Sequence, residues 1–184
     1  MLREKLKDYK IVLASGSPRR QQFFKELDLD FEIRIKEVEE IYPDTLQGVE
    51  ITNYLAKLKS AAFDNDIQPN EIIVTSDTIV WLDNKALGKP KDKQDAFLML
   101  QSMAGKTHEV ITSVCFKTKT KIDILNCATR VTFNPISDAE ILFYIDKYQP
   151  FDKAGAYGIQ EWIGLMAIAK IEGSYTNVVG LPTD

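Results

Sequence analysis

The chain has 184 residues, of which 45% are hydrophobic and 27% are charged, proportions typical of a folded domain with a sizeable core. Its net charge of -4 argues against a general binder of nucleic acids or anionic membranes, so any cationic site must be local. The single histidine, His108, excludes a metal site built from a histidine cluster and makes a Ser-His-Asp triad hard to defend. The chemistry must therefore rest on carboxylates, lysines, arginines and hydroxyls.

Targeting signals and cysteine usage indicate the compartment. The sequence shows no signal peptide, no transit peptide and no apolar run long enough to cross a bilayer. Cys115 and Cys127 lie in strand-like runs, which is typical of small core residues in a reducing compartment rather than of a disulfide framework. No repeat or low-complexity tract divides the chain. We therefore expect a single domain over residues 1–184 and a cytoplasmic location, with no membrane or nucleic-acid polymer as a partner.

Residues 10–24 predict a strand, a tight loop and a helix in succession. The segment begins with a short apolar run of strand type, and Gly16 permits a sharp turn after it. Ser17 is a good N-cap residue, and Pro18 suits the first helical position, where its missing N–H costs nothing. The apolar stripe of the predicted helix consists of Phe23, Phe24 and Leu27.

Two arginines, Arg19 and Arg20, occupy the first turn of this helix, where their charges oppose the helix dipole. The loop before them supplies no acid. An anion would turn this cost into a benefit, because free N–H groups, the dipole and two guanidinium groups would converge on it. A solvated arginine pair is the alternative, but the pattern favours a phosphate pocket.

A half-buried strand is predicted for residues 31–35, which alternate apolar and polar side chains. Three acids follow it, Glu37, Glu39 and Glu40. Such a group is most often a solvated edge, but it also offers oxygen ligands to a hard cation.

Residues 49–63 predict a helix whose apolar stripe consists of Ile51, Tyr54, Leu55, Leu58 and Ala62. Lys59 falls beside this stripe, and Lys57 falls on the opposite flank. A flanking lysine usually extends to water. Because the stripe packs on the sheet, Lys59 could instead reach into a cleft at the rim.

Residues 72–82 form the strongest predicted strand, and their continuous apolar character indicates burial on both faces. Asp77 interrupts this run. A buried carboxylate without a partner is costly, so Asp77 must bind a metal, pair with a cation or have a raised pKa. A structural salt bridge is one explanation, and we favour a functional carboxylate.

The second half of the chain alternates further helices and strands. A turn at residues 83–84 precedes a loop that carries Lys89, and a helix capped by Asp92 follows with the apolar stripe Ala96, Met99, Leu100 and Met103. Strands are predicted at residues 107–116, 122–133 and 165–171. A capping box at residues 137–140 opens a helix that buries Ile141, Leu142 and Ile145. The glycine-rich residues 152–160 predict backbone folded tightly around something, and the whole pattern predicts an α/β fold with a mixed sheet.

Five motifs together resemble the Maf family, which was named for septum-formation inhibitors and comprises nucleoside triphosphate pyrophosphatases. They are Ser-Gly-Ser-Pro-Arg-Arg at 15–20, Ser-Asp-Thr-Ile-Val at 76–80, Gly-Lys-Pro at 88–90, Asp-Lys-Ala-Gly-Ala-Tyr-Gly-Ile-Gln at 152–160 and Gly-Ser-Tyr at 173–175. The similarity in order and spacing spans nearly the whole chain from Lys10 to Pro182. Each motif alone is a weak signal, but five in series are highly specific.

The resemblance implies an α/β fold of the Maf/ITPase type, with a mixed central β-sheet flanked by helices and a deep nucleotide-binding cleft. It implies hydrolysis of a nucleoside triphosphate to the monophosphate and pyrophosphate with Mg²⁺ or Mn²⁺. The loop at 152–160 is similar to the branch that acts on dTTP and UTP. The branch that acts on 7-methyl-GTP has a serine-phenylalanine-lysine run after the glycine.

The resemblance also implies roles for individual residues. By motif position Asp77 is the catalytic acceptor, and Asp77 with the second acid Glu40 would hold the metal. The positions that match the family's specificity residues are Arg19, Thr78 and Gln160. The positions that match its phosphate-binding cations are Arg20, Lys59 and Lys89, while Ser15, Ser17 and Lys153 join the substrate-binding candidates from the same motifs.

Several alternatives stay open at this point. Lys57 competes with Lys59, because the family tends to have an acid before its lysine and this chain has Leu58 between two lysines. Family members usually continue beyond Gly-Leu-Pro into one more helix, whereas this sequence ends at Asp184. A homodimer is plausible for such a family. The competing functions are a non-catalytic nucleotide sensor that regulates septum formation, a nucleotidyltransferase, and a pyrophosphatase for 7-methyl-GTP or other modified nucleotides.

Overall fold

The structure is a computed structural model that describes residues 2–183. Its α-helices are α1 (Leu2–Leu6), α2 (Pro18–Glu26), α3 (Val49–Ala61), α4 (Lys93–Met103), α5 (Asp138–Tyr148), α6 (Trp162–Ala167) and α7 (Tyr175–Val179), and a 3₁₀ turn spans Ala154–Ala156. Its strands are β1 (Lys10–Leu13), β2 (Phe31–Ile33), β3 (Glu71–Leu82), β4 (Lys85–Leu87), β5 (Thr107–Lys117), β6 (Ile122–Phe133) and β7 (Ile168–Glu172).

The strands form one mixed sheet in the order β2-β1-β3-β5-β6-β7, and β4 pairs with β3 at its side. β1 is parallel to both β2 and β3, since α2 and α3 carry the chain back between these strands. β4 is antiparallel to β3, and β7 is antiparallel to β6. The predicted α/β fold with a mixed sheet is therefore confirmed. Among the described residues, none of the helices combines the length and the apolar character needed to span a membrane.

The chain divides into two compact units. The first unit comprises the chain up to Asp77 together with Thr112–Asn126, and the second comprises Thr78–Ile111 and the chain from Cys127 onward. The strands β3, β5 and β6 each contribute residues to both units. Asp77 and Thr78 are neighbours in β3 but belong to different units.

The first unit has a small core of Val12, Phe63, Ile67 and Ile73. The apolar runs of β1 and β3 supply two of these side chains, as the sequence predicts. Its other elements differ from expectation in detail. α2 buries only Phe24, so its apolar stripe is narrower than predicted, and β2 ends at Ile33, two residues before the predicted end.

The buried face of α3 is rotated from the predicted stripe. Tyr54 is 40% exposed, whereas Thr52, Ala56 and Ser60 are buried beside Ile51 and Leu55. The reason is that small side chains allow the helix to approach closely, and the hydroxyl of Thr52 forms a 2.7 Å hydrogen bond with that of Ser113. The prediction from large apolar residues therefore identified only one edge of the buried face of α3.

A cluster of charged side chains joins β1, β2 and β3 within the first unit. Arg34 donates to both carboxylate oxygens of Glu71, at 2.8 and 3.2 Å, and to Glu32 at 2.9 Å. Lys10 adds its ammonium 2.5 Å from Glu32 and 3.7 Å from Glu71. Glu71 is 1% exposed, yet the hydrogen bonds from Arg34 hold its pKa below the usual value. This buried carboxylate therefore depends on its cationic partners.

We expect Glu71→Gln to lower the free energy of unfolding at neutral pH by about 2 kcal/mol, because the Arg34 guanidinium loses its buried counter-charge. The matched control is Glu32→Gln, whose side chain is 39% exposed and whose ion pairs should contribute about 1 kcal/mol or less. Urea unfolding of the three proteins measures both differences. Because the folded pKa of Glu71 is lowered, its contribution should disappear as the pH falls below 4.5, the ordinary pKa of a glutamate. Equal losses in the two variants would contradict this interpretation.

The second unit has a larger core, formed by β3, β5 and β6 and by the helices α4 and α5. Its fully buried members include Leu100, Met103, Tyr144, Ile145 and Ala167. Both predicted caps are present. Asp92 accepts from the backbone N–H of Asp95 at 2.8 Å, and Ser137 forms a capping box with Glu140. The predicted burial of Leu142 is wrong, since its side chain is 41% exposed.

The predicted strand over residues 165–171 is wrong in its first half, where α6 extends to Ala167 and β7 begins only at Ile168. A short apolar run fits a helix or a strand equally well, and here a local contact decides. The N–H of Gly164 donates to the carbonyl of Glu161 at 2.9 Å. A Cβ on Gly164 would lie 1.7 Å from the Ile159 carbonyl oxygen, so this turn requires glycine.

His108 lies buried in the second unit, in an aromatic cluster with Phe133 and Tyr157. Its Nε2 lies 2.8 Å from the Tyr157 hydroxyl. Within the described part of the chain, its Nδ1 has no hydrogen-bond partner. Burial lowers the pKa of His108 to about 4, so the imidazole is neutral at neutral pH and serves as a core side chain.

We expect the stability of the protein to fall on acidification through His108. The unfolded chain takes up the proton at the ordinary histidine pKa of 6.5 and the folded chain only at a pKa of about 4, so stability is lost as the pH falls between these values. From about pH 7.5 to about pH 5 the loss due to His108 should be about 2 kcal/mol. Urea unfolding at both pH values measures the free energy of unfolding. In His108→Gln this free energy should fall less between the two pH values than in the wild type, and the difference should equal the loss due to His108. An identical pH dependence in the two proteins would refute the buried neutral histidine.

Candidate active site

The loop between β1 and α2 lies in the first unit and carries the first motif. Ser15 is 8% exposed, and its hydroxyl accepts from the backbone N–H of Ser17 at 3.3 Å. The side chain of Gln21 donates to the Ser15 carbonyl at 3.2 Å, which fixes the loop from the other side. Ser17 is the N-cap residue and Pro18 begins the helix, as predicted. The expected capping bond is absent from this described segment: the Ser17 side chain forms no hydrogen bond to the first turn of α2.

Arg20 extends from the first turn of α2 to the strand β3. Its Nη1 donates to the carbonyl oxygen of Ser76 at 3.1 Å. Burial lowers the pKa of the guanidinium to about 10, while Asp77 and Glu40 act in the opposite direction. The like charge of the neighbouring Arg19 also lowers this pKa. The first turn of α2 contains no acid, so this end of the helix is cationic.

Lys59 joins the two acids that the sequence analysis selected. Its Nζ lies 2.6 Å from Oδ1 of Asp77 and 3.1 Å from Oε1 of Glu40. Asp77 is 7% exposed within β3, whereas the Glu40 side chain is 48% exposed in its loop. Lys57, the alternative lysine, is exposed to solvent. The structure therefore brings Lys59, and not Lys57, to the carboxylate of Asp77.

The rotation of the buried face explains how Lys59 reaches Asp77. At about 100° per residue, Lys59 falls near the middle of the face that Ile51, Thr52 and Ala56 bury, rather than at its margin. Its side chain is only 17% exposed. The sequence pattern placed this lysine at the rim because it did not count the small polar residues as part of the interior.

A pair of carboxylates in the first unit offers oxygen ligands for a divalent cation. Asp77 and Glu40 both contact the Lys59 ammonium, so their carboxylates are close enough together to contact one cation. Across residues 2–183, no group of three or more His, Cys, Asp or Glu residues is arranged to enclose a metal ion. Mg²⁺ needs only one or two carboxylates when phosphate oxygens and water complete its shell, so the pair suits such an ion.

The remaining candidates lie in the second unit. Thr78 is half-buried in β3, and Lys89 and Gln160 are exposed in loops. Lys89 precedes α4, and Gln160 lies between the 3₁₀ turn and α6. Their proposed roles rest on their motif positions.

Lys153 is buried and is bound by two acids of its own unit. Its Nζ lies 2.7 Å from Oδ1 of Asp152 and 3.2 Å from Oε1 of Glu161. Glu161 also accepts a hydrogen bond from the Tyr144 hydroxyl, which in turn accepts from the backbone N–H of Gly158 at 3.0 Å. The sequence analysis missed Tyr144 and Glu161. Glu161 directly follows the glycine-rich motif, and this position was the one available signal.

The predicted tight folding of residues 152–160 is observed, and the loop packs on residues of its own unit. Gly155 has a φ of +68°, and a Cβ there would lie 2.6 Å from Cγ2 of Val80. Its N–H donates to the carbonyl of Gly88 at 3.0 Å, which ties this loop to the one that carries Lys89. Glycine is therefore required at 155 by both backbone conformation and space.

Comparison with known proteins gives consistent results. A family model described as Maf-like protein matches residues 10–184. A Flavobacterium johnsoniae protein named dTTP/UTP pyrophosphatase is 69% identical over 100% of this chain and 94% of its own length. A Bacteroides fragilis protein of the same name is 50% identical over 95% of this chain and 91% of its own length.

Solved structures extend the comparison to the fold. The structure of the Staphylococcus aureus Ham1 protein aligns with a TM-score of 0.50 and 15% identity, over 67% of this chain and 71% of that one. At this identity the likeness concerns the fold alone, and it agrees with the mixed sheet observed here. With the family model matching nearly the whole chain and full-length relatives at high identity, this chain belongs to the Maf family.

Proposed function

We propose that this chain hydrolyses nucleoside triphosphates, above all dTTP and UTP, to the nucleoside monophosphate and pyrophosphate. Relatives that are up to 69% identical over the full length carry the name dTTP/UTP pyrophosphatase. The observation that carries the proposal is the cluster in the first unit, where Lys59 pairs with the buried Asp77 and Arg20 binds the adjacent Ser76 carbonyl. A carboxylate surrounded by cations suits the transfer of a phosphoryl group, which depends mainly on positioning and on neutralised charge.

Asp77 is the proposed general base. It lies on the strand β3, where it is largely shielded from bulk solvent, with an exposure of 7%. In this role Asp77 takes a proton from water while the water oxygen bonds to the α-phosphorus. The bond from the α-phosphorus to the oxygen that bridges to the β-phosphorus breaks, and pyrophosphate leaves with that oxygen.

Asp77 and Glu40 are also the proposed ligands of a divalent cation, Mg²⁺ or Mn²⁺, which when bound would neutralise phosphate charge and favour deprotonation of water. Support comes from the single ammonium that both carboxylates share. The Lys59 ammonium would then pair with the phosphates and neutralise part of their charge. This exchange keeps Asp77 paired with a cation at every stage, which a buried carboxylate requires.

The phosphates are proposed to bind at the start of α2. Arg19 and Arg20 would supply charge there, and the hydroxyls of Ser15 and Ser17 would supply donors. Lys89 is a further candidate through its motif position. Lys153 already satisfies two carboxylates of the second unit, so it is better suited to shaping its loop than to meeting a phosphate.

Base selection is assigned to Gln160, with Thr78 assisting. Uracil and thymine present the same acceptor and donor pair, O4 and N3–H, and a glutamine amide can donate to the first and accept from the second. Cytosine presents the opposite pair. The exposure of the Gln160 side chain on its loop is consistent with contact to a base.

The decisive experiment measures pyrophosphate release from dTTP, UTP, CTP, GTP and 7-methyl-GTP with Mg²⁺, Mn²⁺ or EDTA. We expect release that depends on the metal and is fastest with dTTP and UTP. Asp77→Asn should lose about 1,000-fold in kcat with an unchanged circular dichroism spectrum, because the amide cannot accept the proton of water.

Other outcomes of this experiment would redirect the proposal. Preference for 7-methyl-GTP would preserve the mechanism and overturn the base assignment. Tight binding of dTTP without release would favour a nucleotide sensor. Retention of most turnover in Asp77→Asn would remove Asp77 from the role of base.

Lys59 and Lys57 provide a matched pair for testing the phosphate-binding cation. We expect Lys59→Met to lower kcat/KM for dTTP about 100-fold, since one fixed charge near the transferred group is lost. Lys57→Met, on the exposed face of the same helix, should retain wild-type activity. Thermal unfolding checks that both variants fold. Equal activities of the two variants would show that the contact of Lys59 with Asp77 is only structural.

A further inference from the structure

One buried hydroxyl forms hydrogen bonds to the turn that carries Gln160. The Tyr144 hydroxyl on α5 accepts from the N–H of Gly158 at 3.0 Å and donates to Oε2 of Glu161. The N–H of Glu161 donates to the carbonyl of Gly158 at 3.0 Å and closes the turn. Gln160 lies within this turn, between the Gly158 N–H and the Glu161 side chain that the Tyr144 hydroxyl binds. Tyr144 itself is fully buried, whereas Gln160 is exposed.

Close packing restricts this turn in addition to its hydrogen bonds. A Cβ on Gly158 would lie 2.9 Å from Cδ of Glu161, so the backbone passes directly against that carboxylate. The other oxygen of Glu161 pairs with the buried Lys153 at 3.2 Å, and Lys153 also binds Asp152. A chain of charge-assisted contacts therefore runs from α5 through the turn to the beginning of the glycine-rich motif.

We propose that Tyr144 is a positioning residue for base selection: through Gly158 and Glu161 its hydroxyl fixes the turn from which Gln160 reaches the pyrimidine. This inference rests on the proposed function, because it deepens the role given there to Gln160. Tyr144 touches no substrate in this arrangement. It acts only through the N–H of Gly158 and the carboxylate of Glu161, which lie on either side of Gln160.

The energetics require the hydroxyl and not merely an aromatic ring. Burial and the hydrogen bond to Glu161 raise the pKa of Tyr144 above its ordinary value, so the phenol keeps its proton and remains a donor. Removing the oxygen alone would leave a buried N–H at Gly158 and a carboxylate at Glu161 each without this partner. The turn would relax to find water or new partners. Base hydrogen bonds tolerate only about 0.5 Å of such movement.

The test compares Tyr144→Phe with Tyr148→Phe. Tyr148 lies on the same helix, and its ring stacks on that of Tyr144 with the ring centroids 5.1 Å apart. This control therefore removes a tyrosine hydroxyl from the same helix without changing a contact to the turn. Steady-state kinetics with dTTP, UTP and CTP provide the readout. In Tyr144→Phe we expect KM for dTTP and UTP to rise about tenfold, with kcat and the activity on CTP nearly unchanged. Tyr148→Phe should match the wild type.

A second pair of variants examines the carboxylate. Glu161→Gln retains an oxygen that can accept from Tyr144 and should preserve most of the preference for UTP over CTP. Glu161→Ala removes the acceptor and should lose the preference to the same extent as Tyr144→Phe. Rescue by the isosteric residue would separate a positioning role from a general loss of stability.

Hydrogen exchange of the intact proteins tests the anchor without relying on turnover. Amides of residues 158–161 should exchange at least about tenfold faster in Tyr144→Phe than in the wild type or in Tyr148→Phe. Unchanged exchange, or an unchanged ratio of kcat/KM for UTP over CTP in Tyr144→Phe, would overturn the inference. A wild-type protein that releases no pyrophosphate, or does not favour dTTP and UTP, would instead refute the proposed function. The exchange result would still decide whether Tyr144 holds the turn.

Discussion

A carboxylate buried in an apolar strand is the constraint on which the first unit depends. β3 is buried along almost its whole length, and an unpaired Asp77 within it would cost several kcal/mol. Lys59 from α3 offsets this cost by a direct ion pair with Asp77. Arg20 from α2 binds the neighbouring Ser76 carbonyl and contributes the positive charge of its guanidinium. The positions of both helices are thus linked to one side chain.

The second unit solves the opposite problem in the same way. There the buried charge is the ammonium of Lys153, and Asp152 and Glu161 provide its counter-charges. The outcome differs, because Lys153 and its partners lie in one loop and rigidify it, whereas Asp77 gathers cations from separate elements. A carboxylate whose cations come from separate elements can exchange them for a substrate or a metal without unfolding a single loop. A lysine fixed between two acids of its own loop has no such freedom, which favours a structural role.

The sequence predicted those features that are encoded locally. Caps at Asp92 and Ser137 involve residues three apart, and the apolar run of β3 is continuous, so both follow from short-range physics. The burial of Asp77 also followed from the sequence, which left open whether a metal, a cation or a raised pKa would accompany it. By contrast, the orientation of α3 depends on Thr52 and Ser113, which lie 61 residues apart, and no pattern within the helix contains that contact. Tyr144 was hidden for a similar reason, since a tyrosine in a buried helical stripe is indistinguishable from ordinary core until its partner in a distant loop is known.

The contrast between Gln160 and its surroundings bears on how such a chain would select a base. Uracil and cytosine differ at the recognised edge by an exchange of donor and acceptor, and an amide that turns by 180° would satisfy either of them. The identity of a glutamine is therefore insufficient for selectivity, and both the point from which it approaches and the orientation of its amide must be restricted. An exposed side chain on a turn that is bound to a buried hydroxyl meets the first demand, because it reaches solvent from a fixed origin. On this argument the selectivity of the chain would depend on Tyr144 and Glu161, which do not touch the base, as well as on Gln160.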